Sequence, residues 1–293
     1  MKKKILILIY LILFASGVFY FIKTKDENAT TPNNTNKKVE NTIKSLAIIL
    51  SPHFDDGVFS LGGLIAKREN DLLVATFFTE RPTKVVHTNW DRISGFSESD
   101  EAMLARTKEN EKALMPFNAI IRNYGYLDFQ YRKENESKNI RENITQDIET
   151  LIKTYQNREI FLYGPATFGL KITHPDHQIV HDAFMDIWKK NKTQNVHFFI
   201  YEDFPYVLKF AKSDLGTLNT YLEKKESMKF TEYPIELNKN ELSEKINSIY
   251  AYESQVKAFR SLGDDIGILA QKFFQERCKT LLPWSYACEV VHK

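Results

Sequence analysis

The 293-residue sequence predicts an α/β fold: a sandwich on a mainly parallel sheet, with helices near the C-terminus walling a cleft. Three observations carry this reading. Short, uninterrupted apolar runs recur from residue 46 onward. Each is followed by a longer stretch whose apolar residues fall at helical spacing. The runs also lack the alternation of a half-exposed antiparallel strand, so both faces of the sheet need cover.

Residues 46–50 (LAIIL) form the first strand, and 57–69 carry apolar side chains at helical spacing. Residues 72–79 (LLVATFFT) are a second strand and 101–114 a charged amphipathic helix. A third strand is expected over 119–126, and a helix over 140–155 with Ile140, Ile144, Ile148, Leu151 and Ile152 as its apolar positions. Residues 159–163 are a fourth strand, 176–189 a helix and 196–201 a fifth strand, completing a Rossmann-like alternation. The last third differs, with an isolated strand over 228–237, one long helix over 239–259 and another helix from residue 265. These elements are expected at the sheet edge. No internal repeat is visible, and no second domain is needed.

A net charge of +2, with Lys and Arg scattered, gives no footprint for a nucleic-acid partner. The aromatic content, Phe 21 and Tyr 14, suits a thick core or a sugar-binding cleft equally. At the N-terminus, Lys2, Lys3 and Lys4 precede an uncharged run from Ile5 to Ile22, followed by Lys23 and Lys25. Such a run reaches the lower bound for a helical span, about 18 residues, and exceeds most secretory apolar segments. Residues 1–25 therefore read as a signal anchor or, with Ala15-Ser16-Gly17 as a cleavage site, a signal peptide. The flanking lysines favour a single-pass cell-membrane protein with an extracytoplasmic domain, or a secreted one if cleaved. Residues 26–43 are polar and Asn/Thr-rich, a flexible tether, and the folded domain is expected over 44–293. Cys278 and Cys288 are the only cysteines; they read as a disulfide in an exported protein or as two buried thiols.

Two stretches carry chemistry. SPHFDD (51–56) sits at the carboxyl end of the first strand, where open α/β sheets bind ligands. Adjacent carboxylates repel, so burying Asp55 and Asp56 calls for a cation or donors. Gly62-Gly63 downstream lacks the dinucleotide-binding spacing and instead permits a close approach by the helix. The second stretch, THPDHQIVH (173–181), follows the fourth strand and opens a helix at Pro175. Each stretch alone could be a helix cap, through Asp55 or Asp56 and through Thr173 or Asp176. Together, at two strand ends, they suit one metal: His nitrogen and carboxylate oxygen are ligands of catalytic zinc, three from protein with a position left open.

Ser51-Pro52-His53-Phe54-Asp55-Asp56-Gly57-Val58-Phe59-Ser60-Leu61-Gly62-Gly63 resembles the first motif of the PIG-L/LmbE-like zinc-dependent N-deacetylases, in the branch with an SPHxDD-type sequence. His174-Pro175-Asp176-His177 is similar to the family's second motif. Weaker agreements lie at residues 106–109, 201–206 and 252–255, so the resemblance spans roughly 46–276. It implies Zn2+ held by His53, Asp56 and His177, with a zinc-bound water as nucleophile. It further implies Asp55 as general base and His174 as the group that stabilises the oxyanion or protonates the leaving amine. Asp176 would orient a histidine from behind. The implied reaction removes the N-acetyl group from an N-acetylglucosamine-type sugar in a glycan or glycolipid. Gly57 stands where many members have glutamate, which weakens inference about the sugar.

His181 reads as a helix-face residue or a substrate contact, and His87, His197 and His292 show no partner pattern. Glu202 and Asp203, after the fifth strand, read either as substrate-hydroxyl binders or as a turn into Pro205. The competing functions are a zinc amidase acting on another amide and a non-catalytic carbohydrate-binding relative.

Overall fold

The structure, a computed structural model, describes residues 44–293 apart from 134–138, 170, 212–216 and 283. Among the described residues a single sheet of seven strands has the order β3-β2-β1-β4-β5-β7-β6. The strands are β1 (Leu46–Ser51), β2 (Asp71–Thr76), β3 (Ile120–Asn123), β4 (Ile160–Pro165), β5 (Val196–Tyr201), β6 (Glu232–Leu237) and β7 (Ala287–His292). Strands β1 to β5 pair in parallel, while β7 runs antiparallel between β5 and β6. The expected α/β architecture is present, with helices on both sides of the sheet. All six residues of β1 are buried, which is why the run is apolar without alternation.

The helices are α1 (Asp56–Lys67), α2 (Asn89–Ser94), α3 (Ser99–Leu114), α4 (Ile140–Thr154) and α5 (Pro175–Lys190). They continue with α6 (Tyr206–Phe210), α7 (Leu218–Glu226), α8 (Lys239–Ala251), α9 (Glu253–Ser261) and α10 (Ile266–Leu281). Helix α1 breaks at Leu61 (φ −119°, ψ 22°). The buried Lys245 of α8 repairs the break, donating to the carbonyls of Phe59 and Ser60 at 2.8 and 3.0 Å. Glu289 of β7 accepts from the Gly63 and Leu64 amides at 2.6 and 2.7 Å and pairs with Lys245 at 2.8 Å. A Cβ on Gly63 would stand 2.3 Å from Leu237, so the glycine allows this helix to press against β6 and β7.

Three expectations change. The long helix over 239–259 is two helices, broken at Tyr252. Its hydroxyl donates to the Phe54 carbonyl and Asn110 Oδ1, and Glu109 accepts from the Ser254 amide, anchoring the break. The strand near 228–237 is not isolated, because it pairs along its length with β7, which sequence patterning had not marked. The membrane-spanning expectation is also corrected. Among the described residues no helix is long and apolar enough to cross a membrane. The longest, α3, α5 and α10, have 16 residues each and are studded with charges. At 1.5 Å per residue they fall short of a ~30 Å hydrocarbon layer. The apolar run at 5–22 and the tether at 26–43 lie outside the described residues. Cys278 and Cys288 form a disulfide with Cα atoms 4.7 Å apart, joining α10 to β7.

Candidate metal centre

In the order β3-β2-β1-β4-β5 the direction of succession reverses between β1 and β4. The carboxyl ends of those two strands flank the crevice that open α/β sheets use for ligands. SPHFDD leaves β1 there, and THPDH follows β4. The fold thus brings together side chains 124 positions apart: His53 Nδ1 and His177 Nε2 are separated by 3.2 Å. Asp56 Oδ2 is 3.2 Å from each of them. Three potential ligand atoms therefore form a nearly equilateral triangle.

Surrounding hydrogen bonds decide how the rings are used. His177 Nδ1 faces Asp203 Oδ2 at 2.6 Å, and His53 Nε2 faces Asp176 Oδ2 at 3.1 Å. In the neutral rings, with protons donated outward to these carboxylates, the inward nitrogens would present lone pairs to a cation. Asp56 Oδ2, also held by the His53 backbone amide at 2.7 Å, presents another. Acceptors at this separation repel unless a cation lies between them. Tetrahedral zinc with bonds of about 2.0 Å would space its ligand atoms about 3.3 Å apart. The donor set fits the metal in both type and spacing.

The helix-cap reading of the two motifs is answered by the same geometry. Asp55 precedes α1 but makes no side-chain cap bond, and Asp56 turns toward the histidines. At α5 the capping group is His174, whose Nδ1 accepts from the Asp176 amide at 3.3 Å. Thr173 Oγ1 instead accepts from the Phe168 amide at 2.7 Å.

Charges are strongly coupled here. Burial, and then the neighbouring Asp56, push the Asp55 carboxyl up to about 7. Burial also opposes ionisation of Asp56, but His177 and His53 outweigh it and hold the carboxylate well below its usual range. Burial disfavours a charge on His177, yet Asp203 and Asp56 raise it to about 10. His174 is pushed down to about 4 by burial and by His53, so its ring is neutral at pH 7. Since Nδ1 accepts the Asp176 amide, its Nε2 carries the proton.

A cavity of about 670 Å3 opens over the centre, and His53, Asp55, Asp56 and His174 lie in its wall. Asp55 makes no side-chain cap bond and lines this space. His177 and Asp176 are fully buried behind it. Asp176 is fixed by the Phe129 amide at 2.9 Å and by Arg132 at 2.5 Å. Glu202 and Asp203 differ from the expectation of substrate contact, because neither lines the cavity. Glu202 is turned onto Arg277 at 2.6 Å, and Asp203 lies behind His177. Arg277 also pairs with Glu232 at 3.2 Å, so its guanidinium supplies the cation for the Glu202, Glu232 and His292 group.

Asp128 and Tyr206, both in the cavity wall, were missed in the sequence. The Tyr206 ring packs edge-on against His177 with centroids 4.8 Å apart. Its position in the 201–206 segment was the available signal; nothing marked Asp128. His181 is buried between the Pro165 carbonyl and Glu226, away from the cavity. His87, His197 and His292 are likewise absent from its wall.

Residues 48–188 match the PIG-L family, described as GlcNAc-PI de-N-acetylase. Both motifs lie inside that segment, so the resemblance read from them is borne out. The fold is similar to the zinc-inhibited form of a teicoplanin deacetylase, with a TM-score of 0.67 at 20% identity, covering 85% of this chain and 97% of that one. It is similar to an A40926 pseudoaglycone deacetylase, with a TM-score of 0.64 at 21% identity over 85% and 96%. The N,N'-diacetylchitobiose deacetylase of Pyrococcus horikoshii gives a TM-score of 0.53 at 15% identity over 85% and 83%. At these identities the likeness is one of fold. A search of curated proteins found no match.

Proposed function

We propose that the chain, whose residues 48–188 match the PIG-L family, is a zinc-dependent N-deacetylase acting on an N-acetylglucosamine-type sugar. The observation that carries this reading is the 3.2 Å triangle of His53 Nδ1, Asp56 Oδ2 and His177 Nε2 beside an Asp55 that lines the cavity. His53, Asp56 and His177 would hold the metal, whose chemistry is to polarise a carbonyl and bring the pKa of water near 7. Asp55, raised toward neutrality, is suited to take a proton from the attacking water. As the C–N bond breaks, the same carboxyl holds the proton that the departing amine requires. His174, neutral with a proton on Nε2, donates a hydrogen bond to the oxygen that gains charge. That assignment favours the oxyanion role over the acid role. Asp176 and Asp203 hold the two histidine rings from behind.

A non-catalytic carbohydrate-binding role is disfavoured by a deeply placed Asp55 that makes no cap bond and lines the cavity beside the triangle. The test is to purify the protein, measure zinc, and assay acetate release from N-acetylglucosamine derivatives. One equivalent of zinc with acetate release supports the reading. Zinc-loaded protein that releases acetate only from non-sugar amides would replace it with the amidase alternative. Protein unable to bind a divalent metal would overturn it.

A further inference from the structure

Three interior tyrosines commit their hydroxyls to the protein. Tyr201 donates to the Leu50 carbonyl at 2.9 Å, Tyr252 to the Phe54 carbonyl at 3.0 Å, and Tyr131 to Asp91 at 2.8 Å. Tyr206 does not follow them. It lines the cavity with Asp55, Asp56, Asp128 and His174, yet among the described residues its hydroxyl makes no hydrogen bond. A phenol kept there for structure has carboxylates within the same wall to take, as Tyr131 takes Asp91, and it takes none.

The ring is nonetheless held in place. It packs edge-on against His177, with centroids 4.8 Å apart and planes at 68°. Asp203 ties the two together. Its carboxylate accepts from His177 Nδ1 at 2.6 Å, and its carbonyl accepts from the Val207 amide at 2.9 Å, at the start of α6. The Phe204 amide donates to Ser60 Oγ at 3.1 Å and anchors the approach to that helix on α1. One residue therefore sets both a nitrogen of the metal triangle and the phenol beside it.

Charge gives that phenol a task. Attack of water on an amide carbonyl puts negative charge on the oxygen, here in a cavity that already holds Asp55, Asp56 and Asp128. Repulsion among these charges raises the barrier unless donors are aimed at the oxygen. His174 supplies one donor. A phenol supplies another without itself carrying charge.

We propose that Tyr206 is a catalytic residue whose hydroxyl donates a hydrogen bond to the acetyl oxygen as that oxygen gains charge. This rests on the deacetylase reading for the reaction. No proton is transferred: the O–H bond of Tyr206 stays intact, and the charge returns from the oxygen to the carbonyl bond as the C–N bond breaks.

The test is Tyr206→Phe in the zinc-loaded full chain, which deletes one unbonded oxygen and keeps the ring against His177. With an N-acetylglucosamine derivative, kcat for acetate release should fall about 10²- to 10³-fold, as on losing one oxyanion donor. KM, zinc stoichiometry and Tm should stay as in the unmodified enzyme, because the bond is made only in the transition state. Glucosamine carrying a methylphosphonamidate in place of the acetamide presents a tetrahedral anion, and its affinity by calorimetry should weaken alongside kcat. A structural role for the hydroxyl would leave that affinity and kcat alone. Unchanged kcat would overturn the proposal, as would a raised KM at constant kcat, or loss of zinc. Equal hydrolysis by both proteins removes Tyr206 from the chemistry and leaves the deacetylase standing. An unmodified enzyme that hydrolyses no amide removes both.

Discussion

Asp203 Oδ2 accepts a hydrogen bond from His177 Nδ1 at 2.6 Å, and both side chains are fully buried. The bond fixes the imidazole so that Nε2 points at His53 and Asp56. Removing such a partner typically weakens a metal site about 10- to 100-fold. Asp203→Asn should therefore lower zinc affinity by about that factor, measured by competition with a chromophoric chelator. Unchanged affinity would remove Asp203 from this positioning role.

Asp55 and Asp56 are adjacent but face different partners, which allows their proposed roles to be separated. Asp55→Asn should retain zinc while activity falls by about 10²- to 10⁴-fold, as expected on losing a general base. Asp56→Asn should lose zinc as well as activity, because it removes a charged ligand and disturbs the His53 amide contact. Zinc stoichiometry and acetate release on both variants decide the matter. The opposite pattern would exchange the two assignments.

Lys245 and Glu289 lie fully out of solvent, 2.8 Å apart, across the break in α1. Removing one member of a buried pair typically costs about 3–5 kcal/mol. Lys245→Met should lower the unfolding free energy by about that amount in urea titrations. Adding Glu289→Gln to it should cost less than the two single substitutions summed, by about 1 kcal/mol or more. Strict additivity would show that the pair is not coupled.

Glu226 gives a pH signature remote from the metal. Burial pushes its carboxyl up, but hydrogen bonds from His181 and Lys189 outweigh burial and hold it well below the usual range. A carboxylate depressed in the folded state stabilises fully above its unfolded value, about 4.3, and less as pH falls through the folded value. Glu226→Gln should thus cost about 2 kcal/mol at pH 7, a few degrees of Tm in a chain of this size. The gap from the unmodified protein should narrow below about pH 4. A gap of constant size across that range would contradict the linkage.

The sequence by itself determined the parallel sheet and the position of both motifs. Leu46 to Leu50 is apolar throughout because both its faces are covered, and that pattern requires no tertiary information. The strand-end placement of His53, Asp55, Asp56, His174 and His177 was legible for the same reason. What periodicity could not reveal was the pairing of side chains distant along the chain. Asp203 read either as a substrate contact, because its neighbourhood after β5 faces the same edge of the sheet as the metal motifs, or as part of a turn into Pro205. Only the packing of β5 beside β4 turns its carboxylate onto His177. Likewise 239–259 reads as one helix locally, since the break at Tyr252 is imposed by Phe54, Asn110 and Glu109 from elsewhere in the chain. Strand β7 was missed because Ala287 to His292 shows no apolar alternation; its Glu289 is buried by pairing with Lys245. Local pattern reports which faces are buried, whereas partner identity is set by contacts between segments that sequence order keeps apart.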